Sequence, residues 1–141
     1  MLHGMGECVF CEIVAGRAPA YRVLEDDHAV AFLNIRPAAP GHTLVVPRAH
    51  VVDMWNISDD VNTHVASMAR RVALLLKDVF EPDGVNLRVN SGAAAGQDVF
   101  HFHTHVIPRR HADGLRLTWG SPLAAAEELE AAARRIAGFC S

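Results

Sequence analysis

The sequence predicts an α+β fold, in which a mostly antiparallel sheet carries a long helix after the early strands and a second helix at the C-terminal end. Short β-branched segments separated by turn residues indicate strands joined as hairpins. Two separate segments have the composition and spacing of helices. Strands of this kind with only two helices favour the α+β class. At 141 residues the chain is expected to form one domain, residues 1–141.

The first third of the chain predicts three strands. The segments YRVLE (21–25) and HAVAFL (28–33) flank the pair Asp26-Asp27, as in a β-hairpin. The segment RPAAPG (36–41) has the composition of a turn. The segment HTLVVP (42–47) that follows is again apolar and β-branched, which favours a third strand.

A long helix is predicted between Ser58 and Pro82. Ser58 is a typical N-cap residue, and the acidic pair Asp59-Asp60 suits the positive end of a helix. Apolar residues then recur at helical spacing and give one apolar face: Val61, Val65, Met68, Val72, Leu75, Leu76 and Val79. Pro82 and the pair Asp83-Gly84 are expected to end the helix.

The second half predicts two more strands and the second helix. The segment VNLRVNS (85–91) alternates as a strand does, and AAAGQD (93–98) is expected to be a small, flexible loop. The segment VFHFHTHVIP (99–108) is rich in residues that favour extended backbone. The second helix is expected to begin at Ser121-Pro122, with proline at its first position, and to end at Gly138.

Composition and charge argue against several classes of function. Half of the residues are hydrophobic and 21% are charged, which is typical of a globular protein. The net charge of −3 provides no bulk attraction for nucleic acid or an anionic membrane, so neither is expected as a partner. The first residues lack the pattern of a signal peptide, and three cysteines do not suggest a disulfide scaffold. We therefore expect a cytoplasmic protein without a membrane-spanning segment.

Nine histidines are a surplus in a chain of this length, and His101, His103 and His105 occupy alternate positions. On a strand such residues share one face, with neighbours roughly 6.5–7 Å apart. Spacing alone leaves three uses open. The row could be a solvated polar face, a metal site built from ring nitrogens, or a nucleophilic centre that attacks phosphorus. For phosphorus chemistry, the loop just upstream could supply backbone N–H groups to phosphate oxygens.

Cys8 and Cys11 form a Cys-x-x-Cys pair, which can bind a metal ion through two thiolates. A zinc site needs two further ligands, and the sequence has no second pair of this kind. The alternatives are free thiols, one of them buried as a small apolar side chain, or a redox pair. A redox pair usually requires a thioredoxin-like βαβ context, which the predicted elements lack.

Two long segments resemble the histidine triad (HIT) family. One is NSGAAAGQDVFHFHTHVIPR (90–109), because His-x-His-x-His followed by two apolar residues is the family signature. The other is CVFCEIVAGRAPAYRVLEDDHAVAFLNIRPAAPGHTLVVPRAH (8–50). The resemblance covers about residues 8–110, in the order and spacing of the family. It implies a HIT-like α+β fold that forms a homodimer through sheet and helix.

The resemblance also implies a nucleotide site with covalent chemistry. In the family a nucleoside phosphate binds beside the triad and the middle histidine attacks its α-phosphorus. His103 would therefore be the nucleophile, and water would hydrolyse the nucleotidyl-His103 intermediate. His105 would contact the phosphate or assist the leaving group, and His101 would anchor the triad. The resemblance assigns the remaining nucleotide contacts to Asn34 (ribose), Asn90, Gln97 and Asp98 (phosphate side) and His42 (buttress of the triad).

A zinc site is implied by the same resemblance. Some bacterial members, and the related galactose-phosphate uridylyltransferases, complete a Cys-x-x-Cys site with two histidines. Here those positions are His50 and His101, so the expected ligands of a structural Zn²⁺ are Cys8, Cys11, His50 and His101. Four protein ligands leave no open position for catalysis. No organic cofactor is expected.

Three residues depart from the family pattern. Thr104 is polar where an apolar residue is usual, and a strand tolerates it. Asn34 stands where the phosphoramidase-like branch has Asp, and Asn is usual in the branch that cleaves dinucleoside polyphosphates. Asp98 replaces a Ser that reaches the leaving group in the phosphoramidase-like branch.

The sequence as a whole predicts a nucleoside-phosphate hydrolase or nucleotidyl transferase that cleaves at the α-phosphorus of a purine nucleotide conjugate of the phosphoramidate type. One alternative is a hydrolase of dinucleoside polyphosphates. A second is a nucleotide-binding module, which would bind nucleotide without releasing mononucleotide. A third is a metalloenzyme that uses the histidine row directly and loses activity on chelation. The expected partners are a small nucleotide substrate and a second copy of the chain.

Overall fold

The computed structural model describes residues 8–116 and 122–140. Its strands form one sheet in the order β1-β2-β3-β5-β4, and every neighbouring pair is antiparallel. The predicted α+β class is confirmed. Within these residues, no helix has the length and apolar character needed to span a membrane. The elements, in chain order, are α1 (Val9–Val14), β1 (Arg22–Glu25), β2 (Ala29–Leu33), β3 (Thr43–Pro47), α2 (Asp59–Phe80), β4 (Gly84–Val89), β5 (Thr104–Arg109) and α3 (Ala126–Cys140).

Helix α2 forms as the sequence predicts. The Ser58 hydroxyl oxygen accepts a hydrogen bond from the backbone N–H of Val61 at 3.2 Å, which satisfies one of the unpaired donors of the first turn. Glu81, just before Pro82, adopts a left-handed conformation (φ 48°) and ends the helix. The buried residues of α2 follow the helical spacing: Val65, Met68, Ala69, Val72 and Leu76.

The sheet separates two apolar layers. On one face, α2 packs against side chains of the central strands that include Val45 and Val106. On the other face, α1 packs with Phe32 and Leu44. Since alternate residues of a strand point to opposite faces, β5 presents Val106 to α2 and His105 to the face that α1 covers. The histidine end of β5 therefore lies on the α1 face.

The prediction of a strand over residues 99–108 is wrong at its start. Strand β5 begins only at Thr104, where its pairing with both Val45 of β3 and Val89 of β4 ends. Within the described residues, the positions just before Thr104 have no partner strand on either side, and the N–H of Phe102 donates instead to the carbonyl of Val51 at 2.7 Å. His101 and His103 therefore lie in an irregular segment that leads into β5, and His105 alone of the three lies on the strand.

The helices at the two ends of the described chain differ from the prediction. Helix α1 was not expected, and it begins where the Cys8 sulfur accepts the backbone N–H of Cys11 at 3.3 Å. Helix α3 starts at Ala126 because its first hydrogen bonds run to the carbonyl of Ala125. Pro122 is therefore not its first residue, and Ser121 lies outside the described residues. The helix also continues past Gly138 to Cys140.

Candidate active site and metal centre

The ring of His103 is oriented by one hydrogen bond, from Nδ1 to a backbone carbonyl. The side chain is 4% exposed, and its Nδ1 lies 2.8 Å from the backbone carbonyl oxygen of His101. A carbonyl oxygen only accepts hydrogen bonds, so Nδ1 must carry the proton and donate it. In the neutral ring, Nε2 then keeps an unprotonated lone pair. This is the form of imidazole that attacks phosphorus.

The protonation of His105 can be assigned in the same way through His42. The N–H of Ala38 donates to His42 Nδ1 at 2.9 Å, so the proton of a neutral His42 is on Nε2. That Nε2 lies 2.9 Å from His105 Nδ1 and donates to it. The proton of His105 is therefore on its own Nε2. His103 and His105, whose ring centroids are 4.9 Å apart, thus present an acceptor and a donor side by side.

Burial lowers the pKa values of His42 and His105. It is the main cause that lowers the pKa of His42 below 6.5. The pKa of His105 falls from 6.5 to about 4, first through burial and then through the charges of His103, His42 and Arg88, with Asp98 acting in the opposite direction. At neutral pH both rings are uncharged, which the donor assignment requires.

Four potential metal ligands converge behind the triad. The ligand atoms of Cys8, Cys11, His50 and His101 all lie within 4.8 Å of one another. His101 Nδ1 is 3.4 Å from the Cys8 sulfur, 3.5 Å from the Cys11 sulfur and 3.2 Å from His50 Nδ1. A tetrahedral zinc ion with ordinary bond lengths would set such separations at about 3.3–3.8 Å. The cluster therefore has the size and donor set of a zinc site.

One local contact prepares this cluster for a metal ion. The Nε2–H of His101 donates to the carbonyl of Pro47 at 2.9 Å, which leaves the Nδ1 lone pair directed to the two sulfurs. Burial, together with the neighbouring Cys8, raises the pKa of the Cys11 thiol to about 11. A divalent cation at this position would reverse that preference, because it favours the thiolate.

The loop between β4 and β5 is fixed by Gln97. The predicted flexible loop contains a short 3₁₀ turn at Ala93–Ala95. Gln97 is buried, its side-chain oxygen accepts the N–H of Gly92 at 2.7 Å, and its nitrogen donates to the carbonyl of Val52 at 2.7 Å. Both ends of this amide hold the loop in place, so its described contacts are structural ones.

The other expected nucleotide contacts lie around the triad. Asn34 Oδ1 accepts the N–H of Arg36 at 2.8 Å, and its Nδ2 is 3.5 Å from His42 Nε2. Asn90 accepts from Arg88 Nε at 3.1 Å and lies in the loop with Asp98, which is exposed. The structure thus brings Asn34 to the β3 side of the triad and Asn90 to the β4 side.

Two residues near the triad were missed by sequence reasoning. The ring of Phe10 on α1 lies 5.2 Å from the ring of His103, edge to face. Arg88 is directly opposite His105 in the register of β4 and β5. The apolar spacing of Phe10 within the short segment CVFCEIV is a weak signal, and the position of Arg88 depends on a register that one sequence does not reveal.

Comparison with known proteins agrees with this geometry. A family model described as the HIT domain matches residues 15–112. The chain belongs to the HIT domain family. It is 40% identical over 119 residues to Protein hit of Bacillus subtilis, an alignment that covers 84% of this chain and 82% of that protein.

Two solved structures of HIT proteins are informative for the sites. A zinc-bound histidine triad family protein from Mycobacterium smegmatis has a TM-score of 0.76 and 38% identity, with 96% of this HIT chain and 99% of that chain covered. A histidine triad nucleotide-binding protein from Candida albicans has a TM-score of 0.84 and 29% identity, with coverage of 94% and 96%. The expected family and HIT fold are confirmed.

Proposed function

We propose that this HIT protein is a nucleoside-phosphate hydrolase that works through a nucleotidyl-His103 intermediate. The observation that carries the proposal is the hydrogen bond from His103 Nδ1 to the His101 carbonyl at 2.8 Å. It fixes the ring and leaves the Nε2 lone pair as a nucleophile inside a buried site. The description of the Candida albicans relative as nucleotide-binding supports a nucleotide as the substrate.

The proposed reaction has two displacements at the same phosphorus. His103 Nε2 forms a bond to the α-phosphorus, while the bond to the leaving group breaks and its electron pair departs with that group. Water then attacks the phosphorus and loses a proton to solvent, the bond to Nε2 breaks with its electron pair returning to that nitrogen, and a mononucleotide is released. The Nε2–H of His105 can donate to a phosphate oxygen or to the leaving group as charge develops there.

The nucleoside is proposed to lie on the β3 side of the triad. Asn34 lies there beside His42, which suits a ribose contact. The rings of Phe10 and Phe32 pack against each other on the same face of the sheet, with centroids 5.4 Å apart, and Phe10 also touches His103. Both rings are buried, so they support the ring of His103 from behind, and the choice of a purine rests on the family resemblance. Asn90, Gln97 and Asp98 belong to the phosphate side of this arrangement.

We further propose that Cys8, Cys11, His50 and His101 hold a structural Zn²⁺. The convergence of the four ligand atoms and the zinc-bound relative from Mycobacterium smegmatis support it. When bound, the ion supplies no chemistry to the reaction, because four protein ligands close its coordination sphere. Its contribution is to hold His101, whose carbonyl oxygen orients His103.

A homodimer and two substrate classes complete the proposal. The exposed edge of β4 and the exposed apolar residues of β4 and α2 support pairing of two chains through sheet and helix.

The attack by His103 serves a nucleoside phosphoramidate, the class favoured by the sequence, and equally a dinucleoside polyphosphate. The two classes differ in the leaving group, which is an amine in one and a nucleotide in the other.

The test is release of AMP from adenosine phosphoramidate and from diadenosine triphosphate by wild type, His103→Ala and His103→Asn. We expect turnover of at least one substrate, and a fall below about 0.1% of the wild-type rate in both variants. Circular dichroism and melting temperature would check that the variants fold. If a folded variant kept several per cent of the activity, the covalent mechanism would be wrong. Nucleotide binding without turnover by wild type would favour the binding-module alternative.

A further inference from the structure

Arg88 lies on the face of the sheet that carries the triad. It is paired directly with His105 across β4 and β5. Directly opposed residues of antiparallel strands have Cα atoms about 4.5–5.5 Å apart and side chains on the same face. The charge of Arg88 is felt at His105, where it contributes, after burial and two neighbouring histidines, to the lowered pKa. The guanidinium is therefore close to the site of the proposed reaction.

The charge of Arg88 is not neutralised by an ion pair within residues 8–116 and 122–140. Its Nε donates to the neutral side-chain oxygen of Asn90 at 3.1 Å, and no described carboxylate lies within 4.0 Å of it. Arg109, which projects from β5, differs because it pairs with Asp113 at 2.7 Å. Arg88 is also half-buried, so its charge is less screened than that of a surface arginine.

The two sides of the triad differ in chemistry. His105 has His42 and Asn34 on the β3 side and Arg88 and Asn90 on the β4 side. The proposed nucleoside contacts occupy the β3 side. Phosphate groups attached beyond the α-phosphorus would then extend over the β4 side, within reach of a long arginine side chain.

We propose that Arg88 binds phosphate oxygens of the leaving group and makes this protein selective for substrates with at least one phosphate beyond the one attacked. This inference rests on the proposed function. A nucleotide leaving group gains negative charge as its bond to phosphorus breaks, and a guanidinium can donate two hydrogen bonds to it. An amine leaving group needs a proton instead, and a nearby fixed cation disfavours that protonation. Arg88 therefore favours dinucleoside polyphosphates over phosphoramidates.

Asp98 opposes Arg88 at the same site. The charge of Asp98 raises the pKa of His105, whereas that of Arg88 lowers it. Asp98 is exposed and lies in the same loop as Asn90. A carboxylate repels the phosphate oxygens that Arg88 attracts. Removing this carboxylate should therefore shift selectivity further towards polyphosphates.

The experiment compares kcat/KM for diadenosine triphosphate and adenosine phosphoramidate in wild type, Arg88→Gln, Arg88→Lys and Asp98→Asn. The measured quantity is the ratio of the two values, triphosphate over phosphoramidate. We expect Arg88→Gln to lower this ratio roughly ten- to hundredfold, the effect of one or two charge-assisted hydrogen bonds. Arg88→Lys should recover part of it, because lysine keeps the charge without the planar fork. Asp98→Asn should raise it.

Arg70→Gln is the matched control. This change removes the same charge from an exposed residue of α2 that is not on the buried face of the helix. It should leave the ratio unchanged. An equal loss on both substrates in Arg88→Gln would show that Arg88 acts only by positioning Asn90, and would overturn the proposal. An unchanged ratio would do the same. Should Arg88→Gln fail to fold, Arg88→Lys carries the test, with an expected fall of roughly three- to tenfold.

The two proposals fail in different ways. Wild type that cleaves the phosphoramidate and not the triphosphate, with activity lost in His103→Ala, would overturn the role of Arg88 and leave the covalent mechanism intact. Wild type that cleaves neither substrate, or a His103→Ala variant that cleaves as well as wild type, would overturn the proposed function and the role of Arg88 with it.

Discussion

At the scale of single residues, the site depends on which ring nitrogen carries each proton. Two backbone groups decide this: the His101 carbonyl, which accepts from His103, and the Ala38 N–H, which donates to His42. From these fixed points the free lone pair of His103 and the N–H of His105 follow without any assumption about the ligand. The assignment for His105 needs neutral rings at His42 and His105, and the burial of these two residues supplies that condition.

The lowered pKa of His105 predicts how stability depends on pH. Its folded-state pKa of about 4 lies below the ordinary 6.5, mainly because of burial. The unfolded chain therefore takes up the proton first on acidification. The stabilising contribution is fully present above about pH 6.5 and is lost as the pH falls towards 4. We expect the free energy of unfolding, measured by urea denaturation at several pH values, to fall across this window.

His105→Gln isolates this contribution, since glutamine does not titrate. Its stability should decline less steeply than that of wild type between pH 6.5 and 4. Groups remote from His105 contribute equally to both proteins, so the difference in slope reports on His105 and on its coupling to His42 and His103. Parallel curves would show that the pKa of His105 is the same in the folded and the unfolded chain, and would contradict its lowering by burial.

Alternation grouped His101, His103 and His105 into one row and left its use open, and the family resemblance supplied the expected roles. The strand predicted for the whole row is wrong, because only His105 lies on β5. Pairing partners decide where a strand begins, and the ends of β3 and β4 are not visible in the residues of β5. For the same reason Arg88 was not connected to His105, because that contact exists only through the register of two strands.

At the scale of elements, α1 is a helix that its own sequence would not stabilise. It has six residues, which is too short to persist in water alone. The Cys8 cap and the burial of Phe10 and Ile13 hold it against the sheet. A metal ion shared by Cys8, Cys11, His50 and His101 would connect this helix to the segment that carries His103. The long helix α2, with strong capping and a continuous apolar face, was by contrast predictable from local signals.

This connection predicts a loss of stability when the metal is removed. We expect purified protein to contain about one zinc ion per chain, measured by atomic emission, and chelation to lower the melting temperature by roughly 10 °C. Cys8→Ser should lack the ion and show no further change with chelator. Val9→Ser, at a half-exposed position of the same helix that supplies no ligand, is the control and should respond as wild type does. Metal-free wild type with an unchanged melting curve would contradict a structural zinc.

At the scale of the whole molecule, the two edges of the sheet differ. Strand β1 is short and has a register shift between Arg22 and Leu24, and Glu25 forms ion pairs with Arg22 and Arg48. Irregular, charged strands of this kind protect an edge from pairing. Strand β4 has six residues with regular pairing on its inner side. Its outer backbone groups have no strand beside them in the described residues.

The β4 edge continues into an exposed apolar surface. Leu87 is 53% exposed on the same face as α2, since it pairs with Val106, and Val85 is also exposed. On α2, Leu75 and Val79 are also exposed, although their spacing suggested that they would reach the core. A second copy of the chain that pairs β4 with β4 would cover this surface and satisfy the edge of both sheets.

We therefore expect a dimer of about twice 15.3 kDa in solution, and Leu87→Glu should convert it to a monomer, because a charge at the centre of this surface would lose hydration on pairing. Light scattering coupled to size exclusion measures both masses. Tyr21→Glu places the same charge at an exposed aromatic residue next to β1, at the other edge of the sheet, and should leave the dimer intact. A monomeric wild type, or a dimer that tolerates Leu87→Glu and dissociates with Tyr21→Glu, would show that β4 is not the interface.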